Sequence, residues 1–268
     1  MPEIWENPFA NALLKIERAN KHIADVEQRL HTSSNHHGAT LHVDTGTGQQ
    51  YLYYRLTDRE LRRDIALIVG DAVHNLRCAL DIAWNGAVTV LSSEPQSRFR
   101  KFPIDPEGDR EKLKSTLTKS TKIPVSSPVI PLMLDRVQCY KGGDPDILAI
   151  HALDIDDKHR VLIDMLTVSG LNGVEVEHED GNITRYEIML VPPKSYRAVV
   201  PLNSKLKNHG EVRFEITFGD RATTKGLEVL PTLRRMSAKS LKIVRLLQRM
   251  RLHLSGHSIF EGRGGKRQ

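Results

Sequence analysis

One stretch of the sequence constrains the fold more than any other, because its apolar residues would cover most of a helix. Residues 65–91 carry apolar side chains in nearly every direction around a helix axis, and TDRE at 57–60 fits a capping box at a helix start. A helix with so little polar surface needs apolar neighbours on several sides. The sequence therefore predicts a long central helix over 57–91, buried within a helical bundle.

The polar residues of this helix lie on one side. At about 100° per residue, six of them fall within a sector of roughly 120°. We call this strip the polar seam, and its members are Asp71, His74, Asn75, Cys78, Asp81 and Asn85. Because a buried polar group without a partner costs about 1 to 3 kcal/mol, another segment must face the seam. Cys78 itself is expected to be a small buried side chain rather than a nucleophile.

The segment that fits best as a partner of the polar seam is IHALDIDDKHR at 150–160. If it is helical, His151, Asp154 and Lys158 share one face, and Asp157, His159 and Arg160 lie at its end. Facing the seam, this segment would bring His and carboxylate side chains from two helices together. The spacing does not match a specific metal motif such as H-E-x-x-H.

Two interpretations of this cluster remain open. In the first it is a catalytic site, where His74 or His159 acts as general base and Asp81 or Asp154 orients it or holds a divalent metal. Lys158 or Arg160 would then neutralise an anionic substrate. In the second it is a buried hydrogen-bond network that fixes helix register.

Patterning along the rest of the chain predicts an α+β fold: a helical bundle packed with an antiparallel β-meander. Helical periodicity marks 8–31, 57–91, 129–159 (interrupted at Gly142-Gly143) and 231–255, whereas alternating apolar residues mark a sheet over 161–230. A small hairpin is expected over 40–56, and 92–127 is an irregular surface connection with a helical turn or two near 109–117. The first and last helices are expected to pack together, so that the chain forms a single interwoven domain.

The excess positive charge of the chain is concentrated at its C-terminal end. Residues 231–268 hold ten Lys and Arg and one acid, a net +9 within a chain of net +6. Opposite the apolar stripe of the last helix lie five cations: Arg235, Lys239, Lys242, Arg245 and Arg249. One interpretation is a surface that follows phosphates, extended by the basic tail 256–268. The other is a solvated helix face lying against the acidic remainder of the fold.

Cysteine content and hydropathy exclude several protein classes. Two cysteines, Cys78 and Cys139, are too few for a disulfide framework. No stretch approaches the roughly 18 apolar residues of a membrane span, and the N-terminus lacks the pattern of a signal peptide. These features predict a cytoplasmic protein without a membrane partner.

Three motifs in combination resemble a recurrent pattern of uncharacterised bacterial and phage proteins. They are GDAVHNLRCALDIAW at 70–84, KFPI at 101–104 and HALDIDDKHRVLI at 151–163, and the resemblance covers about half of the chain. It implies membership of that family without implying an activity. The sequence departs from the pattern at Ile82, where the family helix often has histidine, and this weakens a metal site that would use that position.

A more distant similarity is to the HEPN superfamily of helical domains linked to nucleic acids. It implies a HEPN-like helical topology. The RNase motif of that superfamily, Arg-x(4–6)-His, is matched at Arg29 to His36 and Arg251 to His257. Random placement produces as many matches, and Leu252 stands where HEPN RNases usually have a polar residue, so RNase chemistry is not implied.

Three hypotheses for the function follow. The first is a nucleic-acid-associated protein of mobile-element or phage-defence type, which contacts RNA or DNA phosphates through its basic last helix. The second is a hydrolase-like enzyme with a His/Asp site between the helix at 57–91 and the DKHR segment. The third is a non-catalytic scaffold with a buried polar network. The sequence leaves the substrate, a bound metal and the oligomeric state open.

Overall fold

The computed structural model describes residues 7–34, 39–44, 47–54, 59–91, 101–159, 166–189, 197–219 and 224–254. These segments form six α-helices, α1 to α6, and seven strands, β1 to β7. All pairings between the strands are antiparallel. The predicted α+β class is therefore confirmed.

Contacts between residues divide the chain into two compact units. The first unit comprises residues 1–23, 69–161 and 231–268, and the second comprises 24–68 and 162–230. Each unit is assembled from segments that are distant in the sequence. The single interwoven domain expected from the sequence stays a prediction.

The four long helices lie close to their predicted positions. They are α1 (Pro8–Ser34), α2 (Arg59–Leu91), α5 (Pro145–His159) and α6 (Val229–Leu254). Two of them begin with the predicted cap: Asn7 Oδ1 accepts a hydrogen bond from the Phe9 backbone N–H at 3.0 Å, and Asp144 Oδ1 accepts one from Asp146 at 3.1 Å. A proline follows each cap in the first turn, where its missing N–H costs nothing. The capping residues proposed at 57–58 lie outside the described residues.

In the first unit, α2 is the buried central helix that the sequence predicts. Leu76, Leu80 and Trp84 are fully buried, and the Trp84 ring meets Phe102 edge-on with centroids 6.1 Å apart. Gly86 allows α1 to approach closely, since a Cβ there would lie 2.5 Å from Pro8 Cγ. The burial of this helix leaves the polar seam as its principal hydrophilic surface.

The first and last helices pack together, as expected. Ser237 Oγ donates a hydrogen bond to Asn20 Oδ1 at 2.6 Å, and the Arg251 guanidinium lies 5.8 Å from the centre of the Phe9 ring. Residues late in α6 therefore meet residues early in α1, so the two helices are antiparallel. The buried stripe of α6 includes Leu233, Met236, Ile243, Val244 and Leu247.

The connection at 92–127 is more ordered than predicted in its described part. Residues 101–127 contain α3 (Arg110–Ser115), which Asp109 caps, and a π-helical turn (Thr116–Ser120), in agreement with the helical turns expected near 109–117. Leu113, Leu117 and Ile123 are buried. A short α4 (Val129–Pro131) then continues into a second π-helical segment (Leu132–Val137). The description of this region as irregular surface is therefore wrong for 101–127, because its apolar residues enter the core.

The second unit contains the strands. The predicted hairpin is present as β1 (Ala39–Asp44) and β2 (Gln49–Tyr54), and β5 (Arg197–Val200) adds to β2. In the other sheet, β3 (Leu166–Glu177) pairs with β4 (Ile183–Met189), β6 (Lys205–Asn208) and β7 (Glu211–Ile216). Strand order is not that of a simple meander, because the long β3 pairs with β7 over 166–172 and with β6 over 175–177.

None of the helices in the described segments is long and apolar enough to cross a membrane.

Candidate functional site

A short hydrogen bond joins the polar seam of α2 to α5. His74 Nδ1 lies 2.8 Å from Asp154 Oδ1. The Asp154 side chain is only 7% exposed, whereas the His74 side chain is 45% exposed. The prediction that segment 150–160 faces the seam is therefore confirmed at this pair, which joins a buried carboxylate to an imidazole that solvent reaches.

Cys78 lies one helical turn after His74 and contacts the other nitrogen of its ring. The distance from Cys78 Sγ to His74 Nε2 is 3.4 Å, and Cys78 is half-buried and not in a disulfide. The expectation that Cys78 is buried is therefore wrong, whereas the expectation that it is not a nucleophile stays untested. Its spacing of four residues from His74 was the signal in the sequence, because residues four apart share a helix face.

The three side chains form a continuous series of thiol, imidazole and carboxylate. An ionised carboxylate can only accept hydrogen bonds, so Asp154 requires the proton on His74 Nδ1. Nε2 of the neutral ring is then unprotonated and faces Cys78 Sγ. In this arrangement the imidazole can take the thiol proton, and Asp154 stabilises the charged ring that results.

Asp81 faces a different segment from His74. Its Oδ1 accepts a hydrogen bond from the Phe102 backbone N–H at 2.7 Å and pairs with Arg77 Nη2 at 3.0 Å. Arg77 Nη2 also donates to the Phe102 carbonyl oxygen at 3.0 Å. Burial raises the pKa of the Asp81 carboxyl, and the Arg77 charge opposes this rise. Asp154, rather than Asp81, therefore contacts His74, and Asp81 holds the KFPI segment against α2.

The remaining seam residues have separate surroundings. Asn75 Oδ1 accepts from Lys15 Nζ of α1 at 3.3 Å, and Asn75 Nδ2 donates to the Asp71 carbonyl oxygen at 2.8 Å. Asp71 is exposed, and the buried Oδ1 atom of Asn85 has no hydrogen-bond partner among the described residues. Within the described residues, the polar seam thus contacts α1 and the KFPI segment as well as α5, the one partner that the sequence suggested.

The other predicted site residues of α5 are less fully described. His151 lies one turn before Asp154 and is half-buried. Lys158 and His159 are within α5, but their side chains lie outside the described part, as does Arg160 entirely. Within the described residues, no three His, Cys, Asp or Glu side chains are placed to hold a metal ion.

Two of the five basic residues predicted to contact phosphate are engaged within the protein. Arg235 Nε pairs with both carboxylate oxygens of Asp146, at 2.8 and 3.0 Å, and Lys239 Nζ pairs with Asp144 Oδ2. Asp146 is buried and Asp144 caps α5, so these contacts join α6 to the start of α5. For Arg235 and Lys239 these contacts agree with the second interpretation of the last helix, a face lying against acidic residues. The pattern did not show which acids they meet, because the paired residues are 89 and 95 positions apart.

The other three cations form what we call the basic face of α6: Lys242, Arg245 and Arg249. All three are exposed, and none has an ion-pair partner in the part of the chain that the structure describes. Together with Ala238, Leu241 and Leu246 they line a shallow concave surface on the side of α6 opposite its buried stripe.

No protein-family model, curated protein or solved structure matches this chain.

Proposed function

We propose that this protein binds the phosphate backbone of nucleic acid through the basic face of α6. The observation that supports the proposal is that Lys242, Arg245 and Arg249 are exposed on one side of a helix, without acidic partners among the described residues. A cation without an intramolecular partner can neutralise a phosphate and release its counterion, which favours binding.

The spacing of the basic face suits a strand of nucleic acid. Lys242 and Arg249 are seven residues apart, a rise of about 10 Å along an α-helix. Successive phosphates of one strand rise by about 3.4 Å along the duplex axis, so this length corresponds to about three spacings between phosphates. Leu241 and Leu246 beside the cations give the surface apolar contacts as well. The basic face is thus long enough for each cation to contact a separate phosphate.

The distribution of charge supports the same proposal. Residues 231–268 carry a net +9, and the rest of the chain carries −3. Such an asymmetry attracts polyanions toward one part of a surface. Arg235 and Lys239 are left out of the binding surface, because Asp146 and Asp144 already offset their charges.

The test is the salt dependence of binding to a duplex DNA and a duplex RNA of mixed sequence. The slope of log K against log salt is negative, and we expect Lys242→Ala/Arg245→Ala/Arg249→Ala to reduce its magnitude by about 2 to 3, since each phosphate contact contributes about 0.9. A matched control removes three exposed cations elsewhere: Lys119, Arg136 and Lys141. Affinity that does not change with salt would contradict the proposal. So would a control variant whose slope falls in magnitude as much as that of the α6 variant.

A second candidate function is an enzyme of hydrolase type, favoured by the 2.8 Å contact between His74 and Asp154. A carboxylate that orients an imidazole is the usual partner of a histidine general base. A scaffold role for the same contacts is the alternative that the experiments below separate. The cytoplasmic location and the resemblance to bacterial and phage proteins stay predictions.

A further inference from the structure

We infer that Cys78, His74 and Asp154 form a nucleophilic thiol site that accepts acyl groups from thioesters or activated esters. The inference deepens the second candidate function, on which it rests, and it is independent of nucleic-acid binding. It starts from two distances that share one ring: 3.4 Å from Cys78 Sγ to His74 Nε2, and 2.8 Å from His74 Nδ1 to Asp154 Oδ1.

The three side chains differ in burial in a way that suits such a site. Asp154 is buried, so solvent screens its charge only on the side of the half-exposed ring. His74 is 45% exposed and can exchange its proton with water or a leaving group. Cys78 is half-buried, which leaves part of its surface open to a small electrophile.

The second cysteine of the chain shows the opposite environment. Cys139 is fully buried, and burial raises the pKa of its thiol to about 12. Since the thiolate is the nucleophile, Cys139 is unreactive in the folded protein. The two thiols therefore provide an internal comparison: among the described residues, Cys78 has an imidazole within hydrogen-bond distance and Cys139 does not.

The position of Cys78 within α2 indicates the substrate class. Cys78 lies well inside the helix Arg59–Leu91, so its backbone N–H bonds the carbonyl four residues earlier. That N–H cannot stabilise the oxyanion that forms when a carbonyl is attacked, and poor leaving groups such as amines need strong stabilisation of that kind. The site therefore suits acyl compounds with good leaving groups, namely thioesters and activated esters, rather than amides.

The reaction has two steps. Cys78 Sγ attacks the carbonyl carbon, a carbon–sulfur bond forms, and the bond to the leaving thiol or alcohol breaks. His74 Nε2 takes the thiol proton and delivers it to the leaving group. Water then attacks the acyl-cysteine and transfers a proton to His74, which returns it to Sγ as the carboxylic acid departs.

The first experiment is alkylation of the folded protein with iodoacetamide near neutral pH, mapped by peptide mass. We expect modification of Cys78 and protection of Cys139. Asp154→Asn should slow the modification of Cys78 about tenfold, because the imidazole loses the carboxylate that stabilises its charged form. Asp156→Asn removes the same charge from the same helix and should leave the rate unchanged. Equal rates in wild type and Asp154→Asn would overturn the inference, provided that circular dichroism shows the variant folded.

The second experiment uses p-nitrophenyl acetate. We expect a burst of one equivalent of p-nitrophenolate, an acetyl group on Cys78, and loss of both in Cys78→Ala. If Cys78→Ala still hydrolyses the ester and His74→Asn does not, the thiol inference fails while the His/Asp enzyme stands. If neither variant differs from wild type, the thiol inference and the His/Asp enzyme are both contradicted.

A bound metal ion is tested separately. Faster alkylation of Cys78 after treatment with EDTA would show that Cys78 and His74 hold a metal ion, which would also overturn the inference.

Discussion

Individual residues of the polar seam, although they share one side of α2, contact different segments of the protein. His74 faces α5, Asn75 faces α1, and Asp81 faces the KFPI segment. The sequence predicted the existence of the seam and its contact with segment 150–160, because helical geometry fixes which residues share a side. It did not predict which acid meets His74, because that depends on how the helices are rotated and translated against one another.

The carboxyl group of Asp81 supplies a prediction about pH. Burial raises its pKa above the ordinary value near 3.8. A carboxyl whose pKa is higher in the folded protein than in the unfolded chain stabilises the fold at pH values below its pKa in the unfolded chain. This contribution is lost as the pH rises through its pKa in the folded protein. We expect the free energy of unfolding of wild type, relative to Asp81→Asn, to decrease as the pH rises. Urea denaturation of both proteins at a series of pH values measures this free-energy difference. If the unfolding free energy of wild type increased with pH relative to that of the variant, the raised pKa of Asp81 would be contradicted.

At the element scale, α6 divides into a part that holds the fold and a part that remains available. Its first turns pair with Asp144 and Asp146 at the start of α5, whereas the basic face has no such partner among the described residues. All five cations belong to one amphipathic pattern, so the sequence alone could not separate them. The separation comes from two acids that only the tertiary fold brings to α6.

This division predicts different costs for two arginines of the same helix. Arg235→Ala leaves the buried Asp146 without its paired guanidinium, and because Arg235 is half exposed we expect a loss of about 1 kcal/mol in unfolding free energy. Arg249→Ala, the matched control, should change stability by less than about 0.5 kcal/mol. Urea denaturation compares them. A comparable loss in the two variants would mean that the pair with Asp146 does not stabilise the protein.

At the scale of the whole molecule, every candidate site residue belongs to the first of the two compact units. The sequence predicted the helices of this unit well, because Asn7-Pro8 and Asp144-Pro145 are strong local signals. Pairing in the second unit was less predictable. β5 joins the hairpin of β1 and β2, which lies about 150 positions earlier in the chain, and alternation of apolar residues does not specify partners.

Whether Cys78 can pass its proton to His74 is decided by which nitrogen of the His74 ring is protonated, read from long-range proton–nitrogen NMR spectra and assigned with His74→Asn. We expect Nδ1 to carry the proton of the neutral ring and Asp154→Asn to remove this preference. A neutral ring protonated on Nε2, or a spectrum that Asp154→Asn leaves unchanged, would contradict this expectation, because Nε2 could not then accept the proton of Cys78.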